Sequence, residues 1–381
     1  MSTAALASQH ELFDLPSDVS YLNCAYQSPK LRQSIVASEL ELRKNARPWT
    51  ITSEDFFAPA ERLRALFARL IEAEPADIAI VPSVSYGIAI AAANLAVNAG
   101  EHIVVLTEQF PSNLYAWREL VRQPESHLTF VERPADGLWT DAVMDSIDTS
   151  CAITALPGVH WTDGYRMDLD AISKKCQDTG SALVLDLTQS LGVMPLSVRE
   201  IEVDFIAVAS YKWLLGPLGL SFLYVNPKHH QGRPIEYGWL GRLGSEDFSR
   251  LVDYTDQYQP GARRFDAGER TNNALIAGAT TALEQILEWG TNNIQKYLGG
   301  LIEHVALSAE QRGLKCTPPE VRAPHLLGIE LPADKIAQIA AALANEKVYA
   351  SIRGSKLRVA PYLYNSGRDV ERLFEVMDRF F

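Results

Sequence analysis

Seven short apolar segments lie between residues 77 and 225, and each has the length and continuous hydrophobicity of a buried strand. In chain order they are "DIAIVP", "HIVVLT", "HLTFVE", "CAITAL", "ALVLDL", "DFIAVAS" and "LSFLYV". Helical patterns lie before and between them, such as "PAERLRALFARLIEA" and the small-residue segment "SYGIAIAAANLAVNAG". Strands that are apolar on both sides need helices on both faces of their sheet. The pattern therefore predicts an α/β fold with a mainly parallel sheet.

The C-terminal part of the chain has a different pattern. Its strands are expected in "HLLGIEL", "VYASI" and "KLRVA", and its helices at about 274–289, 334–345 and 367–380. This order is typical of a separate α+β unit. We therefore expect a large domain over residues 14–273 and a smaller C-terminal domain over residues 274–381. An N-terminal arm, residues 1–30, is available to pack on the small domain.

A long polar segment separates these two parts. Residues 226–273 are rich in glycine, aromatic and charged residues and have no clear period. A connection of this length inside a compact protein is usually functional or part of an interface. We expect it to contribute to a site or to a contact between subunits.

Composition and charge exclude several classes of function. The 381 residues carry a net charge of −12 with no basic block, which argues against nucleic acid or an anionic membrane as partner. No apolar run could span a bilayer, and "MSTAALASQHELFDLP" lacks the features of a signal peptide. The four cysteines have no CxxC spacing, and the adjacent His229 and His230 do not have metal-ligand spacing. We expect a reduced cytoplasmic protein without a metal site.

Lys212 is the residue that most needs an explanation. It lies between the last two predicted strands, in "VDFIAVASYKWLLGPLGLSFLYV", with no acidic partner close by in the sequence. Burying an ammonium group costs several kcal/mol, so this lysine must reach solvent, find a partner or lose its charge. A lysine that is held neutral is a nucleophile toward aldehydes.

One polar residue lies within the strand "ALVLDL", and a second lies three positions further along the chain. Asp186 has two interpretations of equal weight: a strand-end aspartate that caps a turn, or a carboxylate that keeps a pyridine nitrogen protonated. A cofactor that stabilises carbanions requires the second role. Gln189 could bind a phenolic oxygen of the same ring, although a lone glutamine is more often simply solvated.

Three further candidates lie within or beside predicted strands. In "VPSVSYGIAIAAA", Ser83 and Ser85 at a helix start suit either a phosphate or an ordinary N-cap. Phe110, directly before a proline, could stack on a flat ring or belong to the core. Arg358 in "KLRVAPYLYNS" could bind a substrate carboxylate with two parallel hydrogen bonds, or form a surface ion pair.

In chain order, the candidates are a phosphate-binding turn, an aromatic residue, an aspartate, a lysine and an arginine. With this order, the chain resembles the fold-type I pyridoxal-phosphate enzymes, and in particular the class V aminotransferase family. That family includes cysteine desulfurases, kynureninases and isopenicillin-epimerase-like proteins. The resemblance runs from "YLNCAYQSPK" to "RVAPYLYNSGRDVERL" and is most specific in "DLTQSLG" and "ASYKWLLGPLG". It implies a seven-stranded, mainly parallel sheet between helices and a smaller α+β C-terminal domain.

The resemblance also implies a role for each candidate. Lys212 would bind pyridoxal phosphate as a Schiff base (an aldimine) and later move the Cα proton of the substrate, while Asp186 would pair with the pyridine nitrogen. Arg358 would bind the α-carboxylate of an amino acid. The other cofactor-binding residues would be Val84, Ser85, Phe110, Gln189, Ser210 and Tyr211. Trp239, Thr271 and Asn272 would complete the site of the neighbouring subunit in a homodimer.

Departures from the family pattern narrow the reaction. Desulfurases carry a nucleophilic cysteine shortly before the carboxylate-binding arginine, whereas "SIRGSKLR" contains none. Kynureninases share "RVAPYLYNS", but "PSVSYGIAIAA" lacks the histidine-containing pattern associated with kynurenine. The leading hypothesis is an aminotransferase; the alternatives are a lyase that cleaves a Cβ bond, kynureninase-like or cysteine-lyase-like, or an epimerase. A non-enzymatic binding module would be expected to have lost Lys212 or Asp186.

Overall fold

A seven-stranded sheet forms the centre of the computed structural model, which describes residues 6–122, 125–134 and 137–381. Its strands lie in the order β2–β8–β7–β6–β5–β3–β4. Their bounds are β2 Ile78–Val81, β3 His102–Leu106, β4 His127–Val131, β5 Cys151–Pro157, β6 Ala182–Asp186, β7 Phe205–Ala209 and β8 Ser221–Val225. β8 is antiparallel to both neighbours, and the remaining pairs are parallel. The predicted α/β fold with a mainly parallel seven-stranded sheet is confirmed.

Both faces of this sheet are buried, because alternate residues of each strand enter different clusters of apolar side chains. In β6, for example, Leu183 and Leu185 belong to one cluster and Val184 to the other. The helices that precede or connect the strands are α1 Arg32–Lys44, α2 Ala58–Leu70, α3 Val84–Asn94, α4 Tyr115–Leu120, α5 Trp139–Ser146 and α6 Leu169–Thr179. The strands are thus continuously hydrophobic because both faces of their sheet are buried, as expected.

The C-terminal residues form a three-stranded antiparallel sheet with helices. The strand order is β11–β12–β9, with β9 Leu327–Glu330, β11 Ser351–Arg353 and β12 Lys356–Val359. The helices are α7 Asn273–Trp289, α8 Thr291–Glu310, α9 Ile336–Asn345 and α10 Gly367–Met377. Two details differ from the sequence interpretation: α8 was not predicted, and "VYASI" is divided between β10, Val348–Tyr349, and β11. The domain limits at residues 273 and 274 stay a prediction.

The N-terminal segment crosses to the C-terminal part of the chain. The Gln9 N–H donates to the Leu363 carbonyl at 2.7 Å, and the Phe13 ring lies edge-on to Tyr364 with 5.0 Å between centroids. Strand β1, Ser20–Tyr21, pairs in parallel with β10. Residues 1–5 of the expected arm lie outside the described residues.

The long segment 226–273 is built from turns and short 3-10 helices. It exposes large apolar side chains, including Tyr254, which is 92% exposed, and Val252, which is 74% exposed. An exposed surface of this kind is typical of an interaction site. The role of this segment in a subunit contact stays a prediction.

Within the part of the chain that the structure describes, no helix combines the length and hydrophobicity required to cross a membrane. The cytoplasmic location stays a prediction.

Candidate active site

The candidate site lies where the carboxyl ends of the parallel strands meet. β2 runs in the same direction as β7, because each is antiparallel to β8, which lies between them. The loops after β2, β3, β5, β6 and β7 therefore emerge at one edge of the sheet, where open α/β sheets bind ligands. These loops surround a cavity of about 240 Å³. The cavity brings together Ser85, Phe110, Asp186, Tyr211 and Lys212 from the sequence interpretation.

Lys212 is buried in this cavity without a counter-ion. It follows β7, and only 6% of the residue is exposed. Within residues 6–122, 125–134 and 137–381, no carboxylate lies within ion-pair distance of its Nζ. Burial lowers the pKa of Lys212 from 10.5 to about 8, although the charge of Asp186 opposes this shift. A substantial fraction of neutral amine near pH 8 makes this lysine a competent nucleophile.

Asp186 is the last residue of β6 and lines the same cavity. Its Oδ1 accepts a hydrogen bond from the Thr188 N–H at 3.0 Å, which fixes the carboxylate at the strand end. Burial raises the pKa of Asp186 above 3.8, opposed by the Thr188 hydrogen bonds and the charge of Lys212. A buried carboxylate that lacks a close cation is poised to bind a cationic N–H.

The turn after β2 presents the start of α3 to the cavity. Ser83 caps this helix, because its Oγ accepts a hydrogen bond from the Tyr86 N–H at 3.1 Å. The Oγ atoms of Ser83 and Ser85 lie 3.0 Å apart. Ser83 is therefore the N-cap, while the exposed Ser85 and the helix N-terminus remain available to an anion; the phosphate role of Ser85 stays a prediction.

Gly87 lets α3 lie close to the sheet. A Cβ at this position would approach a methyl carbon of Leu223 to 3.2 Å and the Cβ of Ala207 to 3.4 Å. The short distance between helix and strands keeps the helix N-terminus at the cavity, next to the loop after β7.

Aromatic rings form one wall above Lys212. Nζ lies 5.3 Å from the centroid of Phe110 and 5.7 Å from that of Tyr211. Trp161, which follows β5, packs edge-on against Phe110 with 5.6 Å between centroids. The Trp161 indole N–H donates to the Glu108 carbonyl at 2.7 Å, so this ring is fixed to the Phe110 loop. A flat ligand could be held against this wall.

The turn that carries Lys212 is held by the N-terminal segment. The Tyr211 carbonyl accepts hydrogen bonds from the Ser28 N–H at 3.1 Å and from Lys30 Nζ at 3.0 Å. Lys30 has a pKa lowered to about 8, with burial as the main cause. The Cys24 sulfur also lies 4.0 Å from the Lys212 carbonyl. Residues distant in sequence thus fix the backbone beneath the lysine amine.

Two predicted cofactor ligands already have other partners. Gln189 lines the cavity, but its Oε1 accepts from the Trp213 indole at 2.8 Å and its Nε2 donates to the Ala25 carbonyl at 3.1 Å. The Ser210 hydroxyl lies 2.7 Å from the Pro217 and Leu220 carbonyls. The structure therefore uses Ser210 to close the β7–β8 connection and does not bring it into the cavity, unlike the sequence expectation.

Arg358 is a buried guanidinium without a carboxylate partner among the described residues. It is 2% exposed on β12, where Nε donates to Ser351 Oγ at 3.1 Å and Nη1 to the Trp161 carbonyl at 2.9 Å. Its Nη2 is buried and has no hydrogen-bond partner in the described part of the chain. Burial and then the charge of Arg353 lower the pKa of Arg358 to about 9. An unpaired donor of this kind calls for an anion.

The three residues assigned to a neighbouring subunit lie outside the cavity of their own chain. Trp239 is 40% exposed and packs against Phe56 and Phe248. Thr271 is partly buried, and Asn272 is the exposed N-cap of α7. Their role in a partner's site stays a prediction.

Val84, the remaining predicted cofactor-binding residue, lies beside Ser85 in the lining of the cavity.

Trp161 and Thr188 are among the cavity-lining residues that the sequence interpretation did not identify. Trp161 contributes a wall of the cavity, and its carbonyl holds Arg358. Thr188 accepts a hydrogen bond from the Ala209 N–H at 3.1 Å and so ties the Asp186 strand end to β7. The position of Thr188 between Asp186 and Gln189 was an available signal. For Trp161 the signal was weaker: it lies four residues after the end of the β5 strand.

The sequence model of the class-V aminotransferases ("Aminotransferase class-V") matches residues 29–373. The uncharacterized aminotransferase YcbU of Bacillus subtilis (strain 168) is 30% identical over 319 residues, 83% of this chain and 82% of that protein. The kynureninase of Bacillus mycoides (strain KBAB4) is 27% identical over 350 residues, 87% of this chain and 80% of that protein.

Two solved structures have the same fold. The apo structure of a cysteine desulfurase from Thermococcus onnurineus NA1 has a TM-score of 0.84 at 20% identity and covers 99% of each chain. A C-DES mutant with glycine covalently linked to its PLP cofactor has a TM-score of 0.87 at 17% identity, covering 97% of this chain and 99% of that one. Together with the family match over most of its length, these findings lead to one conclusion: the chain belongs to the class V aminotransferase family.

Proposed function

We propose that this chain is a pyridoxal-phosphate enzyme that acts on an α-amino acid and that its reaction is transamination. The observation that carries the proposal is the buried amine of Lys212, without a counter-ion, in one cavity with Asp186 and Phe110. A buried lysine of lowered pKa is costly for stability and is explained by a reaction with a carbonyl compound.

The residues of the cavity fit the chemical groups of pyridoxal phosphate. Ser85 and the N-terminus of α3 suit its phosphate. Asp186 offers a carboxylate to the ring nitrogen, and Phe110 offers an aromatic face to the ring. Lys212 supplies the amine for the aldehyde. Gln189 keeps one free N–H on Nε2 for the ring hydroxyl, which supports its proposed role beside its two structural contacts.

When bound, the cofactor supplies an electron-withdrawing ring that stabilises negative charge at the substrate Cα. Lys212 can then act as a base or an acid at Cα, because burial keeps its amine partly neutral near pH 8. Asp186 would hold the ring nitrogen in its protonated form through a charge-assisted hydrogen bond. The unpaired Nη2 of Arg358 would bind the α-carboxylate of the substrate.

Transamination is supported over desulfuration by this chain's own residues and by its relatives. No cysteine lies between Arg353 and Arg358, where a desulfurase nucleophile would be expected. The similarity to a protein described as an aminotransferase also supports transamination. Cleavage of a Cβ bond is a second candidate, because the Phe110–Trp161 wall and the similarity to kynureninases favour a substrate with a planar side chain.

The proposal includes a homodimer with shared sites. The exposed apolar side chains of segment 226–273, with Trp239 among them, support a subunit contact in this region. Trp239, Thr271 and Asn272 lie outside the cavity of their own chain, as residues that serve a partner's cavity would.

A panel of amino acids, with and without α-keto acids, tests the reaction. We expect the purified protein to be yellow, and borohydride reduction followed by peptide mapping to find the cofactor on Lys212. If product forms only when a keto acid is present, the result supports transamination. If alanine or sulfide is released without a keto acid, the reaction is cleavage of a Cβ bond, and the transamination proposal is wrong. Label on a different lysine, or no label after incubation with pyridoxal phosphate, would contradict the cofactor assignment. Lys212→Ala is the control and should give neither label nor product.

A further inference from the structure

We propose that Arg353 is a second anion-binding residue of the substrate site, and that the substrate is an amino acid with an anionic side chain. Aspartate and glutamate represent this chemical class. The inference rests on the proposed function, because it assigns the substrate of the same site.

The strand register brings Arg353 to the face of the small sheet that carries Arg358. Ser351 pairs with Arg358, and Arg353 with Lys356, so all four side chains lie on one face of β11 and β12. Arg353 and Arg358 are diagonal neighbours, with a backbone separation of about 7–8 Å that long side chains can bridge. Two arginine side chains thus extend from neighbouring positions on one face of the small sheet.

The charges on this face are not balanced by the protein. Lys356 lies directly opposite Arg353, an arrangement that is unfavourable for like charges, and Asp163 compensates Lys356 at 2.9 Å. Asp163 is also engaged by Arg133. Arg353 itself donates to the Ile352 carbonyl at 2.8 Å, and no carboxylate within the described ranges forms an ion pair with it. The face therefore has a cation that lacks an anion.

Arg353 also lies next to the cavity. Its guanidinium carbon is 6.0 Å from the ring centroid of Trp161, which lines the cavity and whose carbonyl accepts a hydrogen bond from Arg358. The charge of Arg353 adds to burial in lowering the pKa of both Lys212 and Arg358. Arg353 is partly exposed, so its side chain can move toward a ligand without losing a buried contact.

One α-carboxylate can satisfy Arg358 but leaves Arg353 unpaired. A second negative group on the same substrate would satisfy Arg353 and reduce the mutual repulsion of the two arginines. A neutral amide of the same shape offers a partial charge only, and hydrogen bonds to charged groups are stronger than those between neutral groups. The site is therefore expected to prefer glutamate over glutamine and aspartate over asparagine.

The test compares these isosteric pairs on the cofactor-loaded protein. Affinity is measured by spectral titration without a keto acid, and calorimetry measures the binding of glutarate against butyrate, which do not react. We expect the wild type to favour the dianionic member of each pair. Arg353→Gln should reduce this preference roughly tenfold, the lower end of the range for charge-assisted contacts. Arg353→Lys should retain part of the preference, because it keeps the charge.

Arg368→Gln, at an exposed arginine on α10, is the matched control and should leave the preference unchanged. Equal affinity of the wild type for both members of each pair, or a preference that survives in Arg353→Gln, would overturn the inference. A variant that instead shifts the monomer–dimer equilibrium and leaves the preference intact would assign Arg353 to a subunit contact and overturn it too. Failure of the proposed function looks different: no amino acid changes the spectrum, and Lys212 carries no cofactor.

Discussion

Removing the buried amine should stabilise the protein when the cofactor is absent. Lys212→Met replaces the ammonium group with an apolar side chain of similar length in a site that is 6% exposed. The wild type must either bury a charge or release a proton when it folds, whereas the variant does neither. We therefore expect the cofactor-free variant to have the higher free energy of unfolding at neutral pH.

The pKa of Lys212 gives the size and the pH range of this effect. Its value falls from 10.5 in the unfolded chain to about 8 in the folded protein, mainly through burial. At about 1.36 kcal/mol per pH unit, the lowered pKa corresponds to a cost of about 3 kcal/mol. Between pH 8 and 10.5 the unfolded chain binds more protons, so wild-type stability rises with pH through this window. The cost is complete below pH 8 and absent above 10.5.

Urea unfolding of both cofactor-free proteins at a series of pH values measures the difference. The advantage of Lys212→Met should be largest at pH 7 and should decrease by about 3 kcal/mol as the pH approaches 10.5. Lys296→Met, at an exposed position on α8, controls for the removal of one lysine. A difference between wild type and Lys212→Met that stays constant across this range would refute the reasoning, because it would mean that the folded protein does not perturb this amine.

Three further predictions concern the loaded enzyme. Arg358→Lys should keep the yellow cofactor but reduce kcat/KM for amino acids roughly ten- to a hundredfold, the cost of one charge-assisted contact; unchanged steady-state kinetics would make Arg358 structural. Asp186→Asn should reduce turnover by about a hundredfold or more and weaken cofactor affinity in equilibrium dialysis, because an amide cannot hold a positive ring nitrogen; wild-type turnover would argue against the assignment. Trp239→Ala mixed with Lys212→Ala should recover activity in heterodimers, and a fully active monomer at low concentration would rule out shared sites.

The central fold could be predicted because its strands are continuously apolar. Strands such as "FIAVA" are buried on both faces, so their hydrophobicity does not depend on contacts with any particular neighbour. A different rule explains why Asp186 and Lys212 line one cavity: the carboxyl ends of parallel strands meet at the same edge of the sheet. Helix α8 was missed: it directly follows α7, with Gly290 as the N-cap of α8 and no side-chain hydrogen bond at this cap to mark its start.

The contacts of single side chains could not be predicted in the same way. Ser210 resembles a phosphate ligand by its position before Lys212, yet its hydroxyl is bound by carbonyls of the β7–β8 connection. A Cβ at Gly216 would lie 2.8 Å from the Ser210 hydroxyl, so this contact depends on a glycine six residues away. Trp161 is similar, because its importance comes from Phe110 and Arg358, which are distant in sequence. Such pairings depend on tertiary structure.

Lys212 and Arg358 are connected through a short N-terminal segment. Ala360 lies two residues beyond Arg358. Its carbonyl accepts a hydrogen bond from the Cys24 N–H at 2.9 Å, and its N–H donates to the Leu22 carbonyl at 2.8 Å. A few residues later, Ser28 and Lys30 hold the Tyr211 carbonyl next to Lys212.

Residues 22–30 therefore join the strand end of the small sheet to the lysine turn of the large sheet, by backbone hydrogen bonds and by one hydrogen bond from the Lys30 side chain. Small errors in the distance between reacting groups are costly for catalysis. The segment contacts the backbone close to both residues, and so provides a second connection besides the long one through residues 226–273, which is mostly turns. The N-terminal segment is for this reason part of the active-site framework.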